Sequence, residues 1–143
     1  MWIKKIVEEL IEAYSTNNPF EIADAKKIIV CFHDLHEEIM GYYKYSRTNK
    51  FIVINSNLNQ FDQLFTCCHE LGHSEIHPKL NTPFLKRKTL FSIDKIEQEA
   101  NRFAVEMLMP DSKVQALPYV NLTDKEAARI FGVPAEVCHL KKF

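Results

Sequence analysis

Neither sign of charge dominates this chain of 143 residues. Lys and Arg number 18 and Asp and Glu number 19, so the formal net charge is −1. A protein that binds the phosphate backbone of nucleic acid relies on an excess of basic side chains, so this balance gives no support for direct nucleic-acid contact. The two short basic runs, at 86–88 and 141–142, are interpreted as a solvated loop and a solvated tail.

The chain also lacks any paired-cysteine motif. No two of its four cysteines are separated by two residues: Cys31, Cys67, Cys68 and Cys138. This spacing argues against a cysteine-ligated zinc site and against a thioredoxin-type redox centre. Cys67 and Cys68 stand side by side in a segment that predicts a helix. They are interpreted as small buried hydrophobic residues.

No stretch of the sequence has the length and apolar content of a membrane span. The N-terminal segment does not look like a signal peptide, because charged residues interrupt its apolar pairs and no small-residue cleavage site follows. We therefore expect a cytoplasmic monomer with reduced thiols and no membrane partner. With 143 residues and 46% hydrophobic content, the chain is long enough for one domain, 1–143, with its own core.

Hydrophobic periodicity predicts an α+β fold. Apolar residues at helical spacing predict an amphipathic N-terminal helix. Three β-branched or aromatic segments joined by short polar connectors predict a small three-stranded antiparallel sheet, packed with about four to five helices. Segment 78–92 has no clean period and is predicted to be a long loop, a candidate lid. The predicted elements are a helix at 2–15, strands within 28–54, helices at 61–77 and 94–109, and C-terminal helices within 123–142.

The most informative stretch is His69-Glu70-Leu71-Gly72-His73, which matches the pattern HExxH. Side chains four residues apart lie one above the other on a helix, so the two histidines could share one zinc ion. The glutamate beside them would act as a general base, taking a proton from the attacking water and passing it to the leaving amine. The surrounding segment predicts a helix, since it has no proline and its apolar residues recur near helical spacing. The pattern predicts a metalloprotease with one zinc per chain.

A catalytic zinc needs a third protein ligand, and the helix predicted after the long loop offers three glutamates. Glu97 is the preferred ligand, because Asn101 lies four residues further on the same helical face. The Asn101 side-chain oxygen could accept the free N–H of a ligand histidine. Glu99 points about 200° away from Glu97 and cannot do the same job. Glu99 and Glu106 are interpreted as parts of a solvated face.

A hydrogen-bond donor to the developing oxyanion is also expected. The sequence does not choose among the histidines and tyrosines outside the motif, which are His33, His36, Tyr42, Tyr43, Tyr45 and His77. His77 lies about 12 Å along the helix axis from His69, too far for both to bind one ion. It is interpreted as a structural or rim residue. His77 and Tyr43 are retained as candidate oxyanion or substrate donors.

Several segments together resemble the ImmA/IrrE family of small metallopeptidases. They are the Phe-Thr run before the motif, the motif itself, the trailing His77, and the stretch 96–104 that leads to Leu-Met-Pro at 108–110. The resemblance covers most of the chain and is strongest from 64 to 110. It implies a zincin-like fold with HExxH on the central helix. It also implies that His69, His73 and Glu97 are metal ligands and that Glu70 is the catalytic base.

The resemblance further implies a site-specific endopeptidase that cuts a helix-turn-helix repressor and so relieves repression of a phage, mobile element or stress regulon. The alternative is a binding protein that sequesters the repressor without cutting it, with zinc in a structural role. An intact Glu70 favours the enzyme, because a structural zinc site normally closes its fourth position with a protein ligand. A helical scaffold with a chance motif is a third interpretation, and Asn101 and the Leu-Met-Pro ending argue against it.

Overall fold

The computed structural model describes residues 2–118 and 121–143, so three positions of the predicted domain 1–143 lie outside it. Six α-helices are present in the described ranges: α1 Trp2–Tyr14, α2 Pro19–Ala25, α3 Gln60–Ile76, α4 Lys95–Leu108, α5 Asp111–Gln115 and α6 Asp124–Ile130. Four strands accompany them: β1 Ile29–His33, β2 Ile39–Ser46, β3 Asn49–Asn55 and β4 Leu85–Lys86. Two 3₁₀ helices cover Arg87–Phe91 and Ala135–Leu140. The predicted α+β class is confirmed.

The sheet has four strands in the order β1-β3-β2-β4, and it is mixed rather than antiparallel. Strand β3 pairs in parallel with β1, so that Cys31 faces Val53 across the ladder. Strand β3 also pairs antiparallel with β2, and the two-residue β4 adds to the free edge of β2. The prediction of three antiparallel strands is therefore wrong in strand number and in one pairing direction.

The connector between β1 and β2 explains the error. Its five residues, 34–38, can extend over about 15 Å, which exceeds the roughly 10 Å needed to skip one strand position. Connector length alone could therefore not distinguish the two arrangements. The buried side chain of Asn55, at the end of β3, holds this connector in place. Its Nδ2 donates to the carbonyls of Leu35, His36 and Ile39, while its Oδ1 accepts from the Leu35 N–H.

Helix α3 lies on one face of the sheet and is the central helix of the fold, packed also against α2 and α4. The side chain of Asn59 caps its first turn by accepting from the Asp62 N–H at 2.8 Å. Gly41 on β2 permits the close approach of this helix. A Cβ atom at Gly41 would lie 2.4 Å from the Val53 carbonyl oxygen and 2.7 Å from Cγ2 of Thr66 on α3. The missing side chain therefore sets the spacing between the sheet and α3.

Several short elements were not predicted. Helices α2 and α5 have seven and five residues and are too short to show a clear helical period, so neither was predicted. The predicted loop 78–92 contains β4 and the first 3₁₀ helix, with Leu85 and Leu90 buried in the core. The last predicted helix is a 3₁₀ helix. Within the described ranges, no helix is long and apolar enough to cross a membrane.

Candidate metal centre

The middle of helix α3 is buried on all sides, and the HExxH side chains lie in that buried part. His69 and His73 have no exposed surface, and Glu70 is 1% exposed. The two imidazole rings stand edge to face with their centroids 4.8 Å apart. Donor atoms of the two histidines and of Glu70 all lie within 4.8 Å of one another. Helix α3 therefore places the side chains of His69, Glu70 and His73 close together in one small buried region.

Helix α4 brings a second carboxylate to the same region. Asp94 caps this helix by accepting from the N–H groups of Ile96 and Glu97, and Glu97 occupies the first turn. One oxygen of the buried Glu97 lies 3.0 Å from Nε2 of His73, and the other lies 3.3 Å from Nε2 of His69. Two separate helices thus supply the imidazole pair and the facing carboxylate.

The polar atoms in this region are buried without hydrogen-bond partners. The two Nε2 atoms of His69 and His73 and all four carboxylate oxygens of Glu70 and Glu97 lack a partner of good hydrogen-bond geometry. Burying such atoms uncompensated costs free energy, so each calls for an explanation. Two imidazole nitrogens and a carboxylate are the donor set of a catalytic zinc site with one open position. The residues therefore fit a zinc ion, with His69, His73 and Glu97 as the residues that would hold it.

The outer nitrogens of the two histidines are both engaged. Asn101 Oδ1 lies 2.8 Å from Nδ1 of His69, and Asn101 Nδ2 donates to the carbonyl of Thr89 at 3.4 Å. The Thr89 bond settles which way the amide faces, so His69 Nδ1–H must be the donor to Asn101. His73 Nδ1 lies 3.0 Å from Nδ1 of His77. These partners leave the inner Nε2 lone pair of each histidine free to bind a cation.

The charge states of the cluster follow from burial and from mutual contact. Burial lowers the pKa of His73 to about 4, so its imidazole stays neutral. Burial lowers the pKa of His69 as well, but Glu97 and Glu70 outweigh that effect and raise it overall. Burial raises the pKa of Glu97, yet the two facing imidazoles outweigh burial and bring it to about 2. Glu97 is therefore an anion facing the imidazole pair.

Glu70 differs from Glu97 in its environment. Burial raises the pKa of its carboxyl to about 8, the charge of Glu97 acts in the same direction, and His69 opposes both. A carboxyl with such a raised pKa takes up a proton far more readily than an exposed glutamate does. Two carboxylates in one region with pKa values pushed apart are suited to different roles. Glu97 suits cation binding, and Glu70 suits proton transfer.

The contact between α3 and α4 depends on Gly72, inside the motif. A Cβ atom at this position would lie 3.0 Å from Cβ and from Cγ of Phe103 on α4. Phe103 is fully buried and has little room to move. The missing side chain therefore lets the two helices approach closely enough for Glu97 to reach both imidazoles.

A cleft opens beside Glu97, with a volume of about 510 Å³. Segment 80–84, the first 3₁₀ helix and the start of α4 line it, and Lys88, Asp94 and Glu97 contribute charged groups. The Phe84 ring packs on Tyr42 at a centroid distance of 5.0 Å. Exposed apolar side chains line the cleft, with Leu80 47% and Phe84 48% exposed. An extended peptide with apolar side chains would fit such a surface.

Comparison with known proteins assigns the chain to a family. The sequence profile of the IrrE N-terminal-like domain matches residues 23–141. The chain is 35% identical over 141 residues to Metallopeptidase ImmA of Bacillus subtilis (strain 168), covering 97% of this chain and 83% of that protein. The chain belongs to the ImmA/IrrE family. It is also 54% identical over 139 residues to uncharacterized immunity region protein 2 of Bacillus phage phi105, covering 97% of this chain and 88% of that protein.

Membership of the ImmA/IrrE family and the clustered donors together indicate a metallopeptidase-type site. The structure brings together all four residues proposed for metal binding and catalysis, His69, Glu70, His73 and Glu97. It also places Asn101 at hydrogen-bond distance from His69, as the sequence analysis proposed.

The two candidate oxyanion donors occupy different places. The hydroxyl of the buried Tyr43 donates to the carbonyl of Pro78, so it fastens the start of segment 78–92 to the sheet. Burial raises its pKa to about 12, which keeps the hydroxyl protonated. His77 faces His73 through one ring nitrogen and Glu99 through the other. Both side chains therefore have protein partners.

Two acidic side chains were misjudged from the sequence as parts of a solvated face. Glu99 lies 2.9 Å from Nε2 of His77. Glu106 is buried and pairs with Lys141 at 2.7 Å, so the C-terminal basic run is not simply a solvated tail. The helical period carried a signal for Glu106, since Phe103 and Met109, three residues before and after it, are apolar. Nothing in the sequence paired Glu99 with His77, because their contact joins two helices.

Proposed function

We propose that this protein is a zinc-dependent, site-specific endopeptidase of zincin-like fold. It acts as a cytoplasmic monomer on a helix-turn-helix repressor and does not contact nucleic acid itself. The observation that carries the proposal is the cluster of buried, partnerless donor atoms of His69, His73 and Glu97, with the Glu70 carboxylate beside them. A structural zinc site would not need Glu70.

The substrate is proposed from the cleft and from the relatives. A cleft flanked by exposed apolar side chains suits an extended segment of a protein better than a small polar molecule. One relative is named a metallopeptidase and another is named for the immunity region of a phage. These names support a substrate that acts in phage or mobile-element immunity, and a transcriptional repressor meets that description.

Each residue of the proposed site has one role in the proposed reaction. A bound zinc ion would supply Lewis acidity toward the scissile carbonyl and the attacking water. His69, His73 and Glu97 would hold that ion, and Asn101 keeps the His69 ring in the orientation that presents Nε2. Glu70 accepts the proton of the attacking water and delivers it to the amine of the leaving fragment. The surrounding burial excludes bulk water, which strengthens these interactions.

The test is cleavage of a purified helix-turn-helix repressor encoded in the same genetic element, followed by gel electrophoresis and mass spectrometry of the fragments. We expect one cleavage site, loss of cleavage with a chelator, and recovery with zinc. Glu70→Gln should lower the cleavage rate by about 10²–10⁴-fold while zinc binding remains, because the amide cannot accept the proton. Glu75→Gln is the matched control, since Glu75 lies on the same helix but pairs with Lys26 at 2.7 Å, away from the ligand atoms.

Two outcomes would contradict the proposal in different ways. Cleavage at the wild-type rate by Glu70→Gln would remove the proposed proton transfer. A repressor that is bound and neutralised at one zinc per chain, but never cut, would favour sequestration instead.

A further inference from the structure

Three side chains in contact, Glu99, His77 and His73, lead from the surface of α4 to the Nδ1 side of the His73 ring. Oε1 of Glu99 lies 2.9 Å from Nε2 of His77, and Nδ1 of His77 lies 3.0 Å from Nδ1 of His73. The rings of the two histidines are 5.1 Å apart. His77 is 9% exposed, and the Glu99 side chain is 15% exposed. Neither His77 nor Glu99 is among the four residues of the proposed active site.

The donor and acceptor in each of these two contacts can be assigned by starting from Glu99. An ionised carboxylate only accepts hydrogen bonds, so Nε2 of His77 must carry the proton in its contact with Glu99. With the ring proton of His77 on Nε2, its Nδ1 is an acceptor, and the facing Nδ1 of His73 is the donor. With its proton on Nδ1, His73 presents an unprotonated Nε2 toward Glu97 and His69. The reverse tautomer of His77 would leave an unprotonated Nε2 facing the Glu99 carboxylate oxygen at 2.9 Å, with no proton between the two acceptors.

We propose that Glu99 and His77 are positioning residues that fix the tautomer and ring orientation of His73 for metal binding. The inference rests on the proposed function, since it requires a metal at this site. His69 is held with its proton on Nδ1 by a single contact, with the amide oxygen of Asn101. The two ligand histidines are thus held by different means, one through an amide and one through a second histidine and a carboxylate. Partners of this kind hold metal-ligating histidines in their binding orientation.

The geometry of α3 and α4 explains why His77 serves this purpose and not that of a ligand. His77 is the C-terminal cap of α3, one turn beyond His73, and its backbone N–H bonds to the His73 carbonyl. It lies too far along the axis to share an ion with His69, but four residues is the right spacing to contact His73. Glu99 lies two residues after Glu97 on α4, so one helix supplies both the metal-facing carboxylate and the carboxylate that holds His77.

The experiment measures zinc affinity of the metal-free protein by competition with a chromophoric chelator. Glu99→Ala should weaken zinc binding by about tenfold and His77→Ala by up to about 100-fold, the range found when partners of metal-ligating histidines are removed. His77→Asn places an amide oxygen near the former Nδ1 position and should recover most of the loss. Glu75→Ala is the matched control. Its side chain is 16% exposed against 15% for Glu99, and it pairs with Lys26 rather than with a histidine.

A double-variant cycle separates this role from general support of the fold. Because Glu99 acts through His77, Glu99→Ala should cost nothing further in the His77→Ala background. A purely structural carboxylate would add its full cost there. In ¹⁵N-labelled zinc-loaded wild type, we expect His77 to be the Nε2–H tautomer and the Nδ1–H proton of His73 to be protected from exchange. If Glu99→Ala does not fold, Glu99→Leu keeps a similar side-chain volume without an acceptor oxygen, and the same loss of zinc affinity is expected.

The outcomes distinguish this inference from the proposed function. Wild-type protein that binds no zinc would overturn the proposed function and this inference with it. Wild-type protein that binds one zinc, while Glu99→Ala and His77→Ala bind it as tightly, would overturn this inference alone. An Nδ1–H tautomer of His77 in the zinc-loaded protein would also overturn it.

Discussion

Lys141 offers the sharpest test of how the C-terminal segment is held. Its side chain is 1% exposed, and its ammonium lies 2.7 Å from the equally buried Glu106 and 2.6 Å from Asp111. Glu106 also accepts the backbone N–H of Lys142 at 2.8 Å. These contacts tie the C-terminal residues to the far end of α4 and to the start of α5.

Replacing Lys141 by Met leaves the Glu106 carboxylate buried without its counter-charge. Breaking a buried ion pair on one side costs about 3–5 kcal/mol of unfolding free energy. We expect about 3 kcal/mol, at the low end of that range, because Glu106 keeps its bond from Lys142 and Asp111 is partly exposed. For a chain of this length, that loss corresponds to a drop in melting temperature of roughly 10 °C.

The assay is urea denaturation followed by circular dichroism, together with zinc titration. Lys142→Met is the matched control, because it removes the same charge from an exposed neighbouring side chain and should change stability by less than about 0.5 kcal/mol. The double variant Lys141→Met with Glu106→Met should be more stable than Lys141→Met alone, because both charges leave the core together. Zinc affinity should be unchanged, since Glu106 lies about 14 Å along α4 from Glu97.

Two results would refute this reasoning. A loss below about 1 kcal/mol for Lys141→Met would show that the pair is effectively solvated. A double variant no more stable than the single variant would show that the two side chains do not act as a pair.

Two further predictions concern metal removal and the sheet. Free zinc at 100 times its dissociation constant should raise the unfolding free energy by about 2.7 kcal/mol in thermal melts, reversibly with a chelator. The Glu97→Gln variant should show a clearly smaller gain, and an equal gain would count against Glu97 as a ligand. Gly41→Ala should cost about 3 kcal/mol in denaturant titrations, because its Cβ would meet the backbone oxygen of Val53 at 2.4 Å, which cannot move cheaply. Unchanged stability would mean that β2 and α3 separate freely.

The residues of the proposed site were accessible from sequence because their spacing is local. His69 and His73 are one helical turn apart, and so are Glu97 and Asn101, so each pair shares a helix face whatever the rest of the fold does. Helical periodicity then identified the two helices that carry them. The spacing within each helix does not show that these two helix faces pack against each other, and only the tertiary structure shows it.

The predictions that were wrong concern features that depend on contacts between distant segments of the chain. The strand order could not be read from connector length, because a five-residue connector reaches either neighbouring position. Glu99 and Glu106 lie on one helix and were treated as solvated, but His77 and Lys141 come from other elements to meet them. A charged side chain is rarely buried unless it has a partner of opposite charge, and the position of that partner depends on the whole fold.

The sequence by itself determined which residues form the proposed site. HExxH on a helix and a glutamate on the next predicted helix give the proposed zinc donors and the proposed general base, because their spacings are fixed by the geometry of a helix turn. Only the tertiary structure decided how those donors converge. The close approach of α3 and α4 at Gly72 brings Glu97 to both imidazoles, and the burial of the cluster leaves its inner atoms without partners. That convergence joins residues far apart in the chain, so no local pattern could specify it.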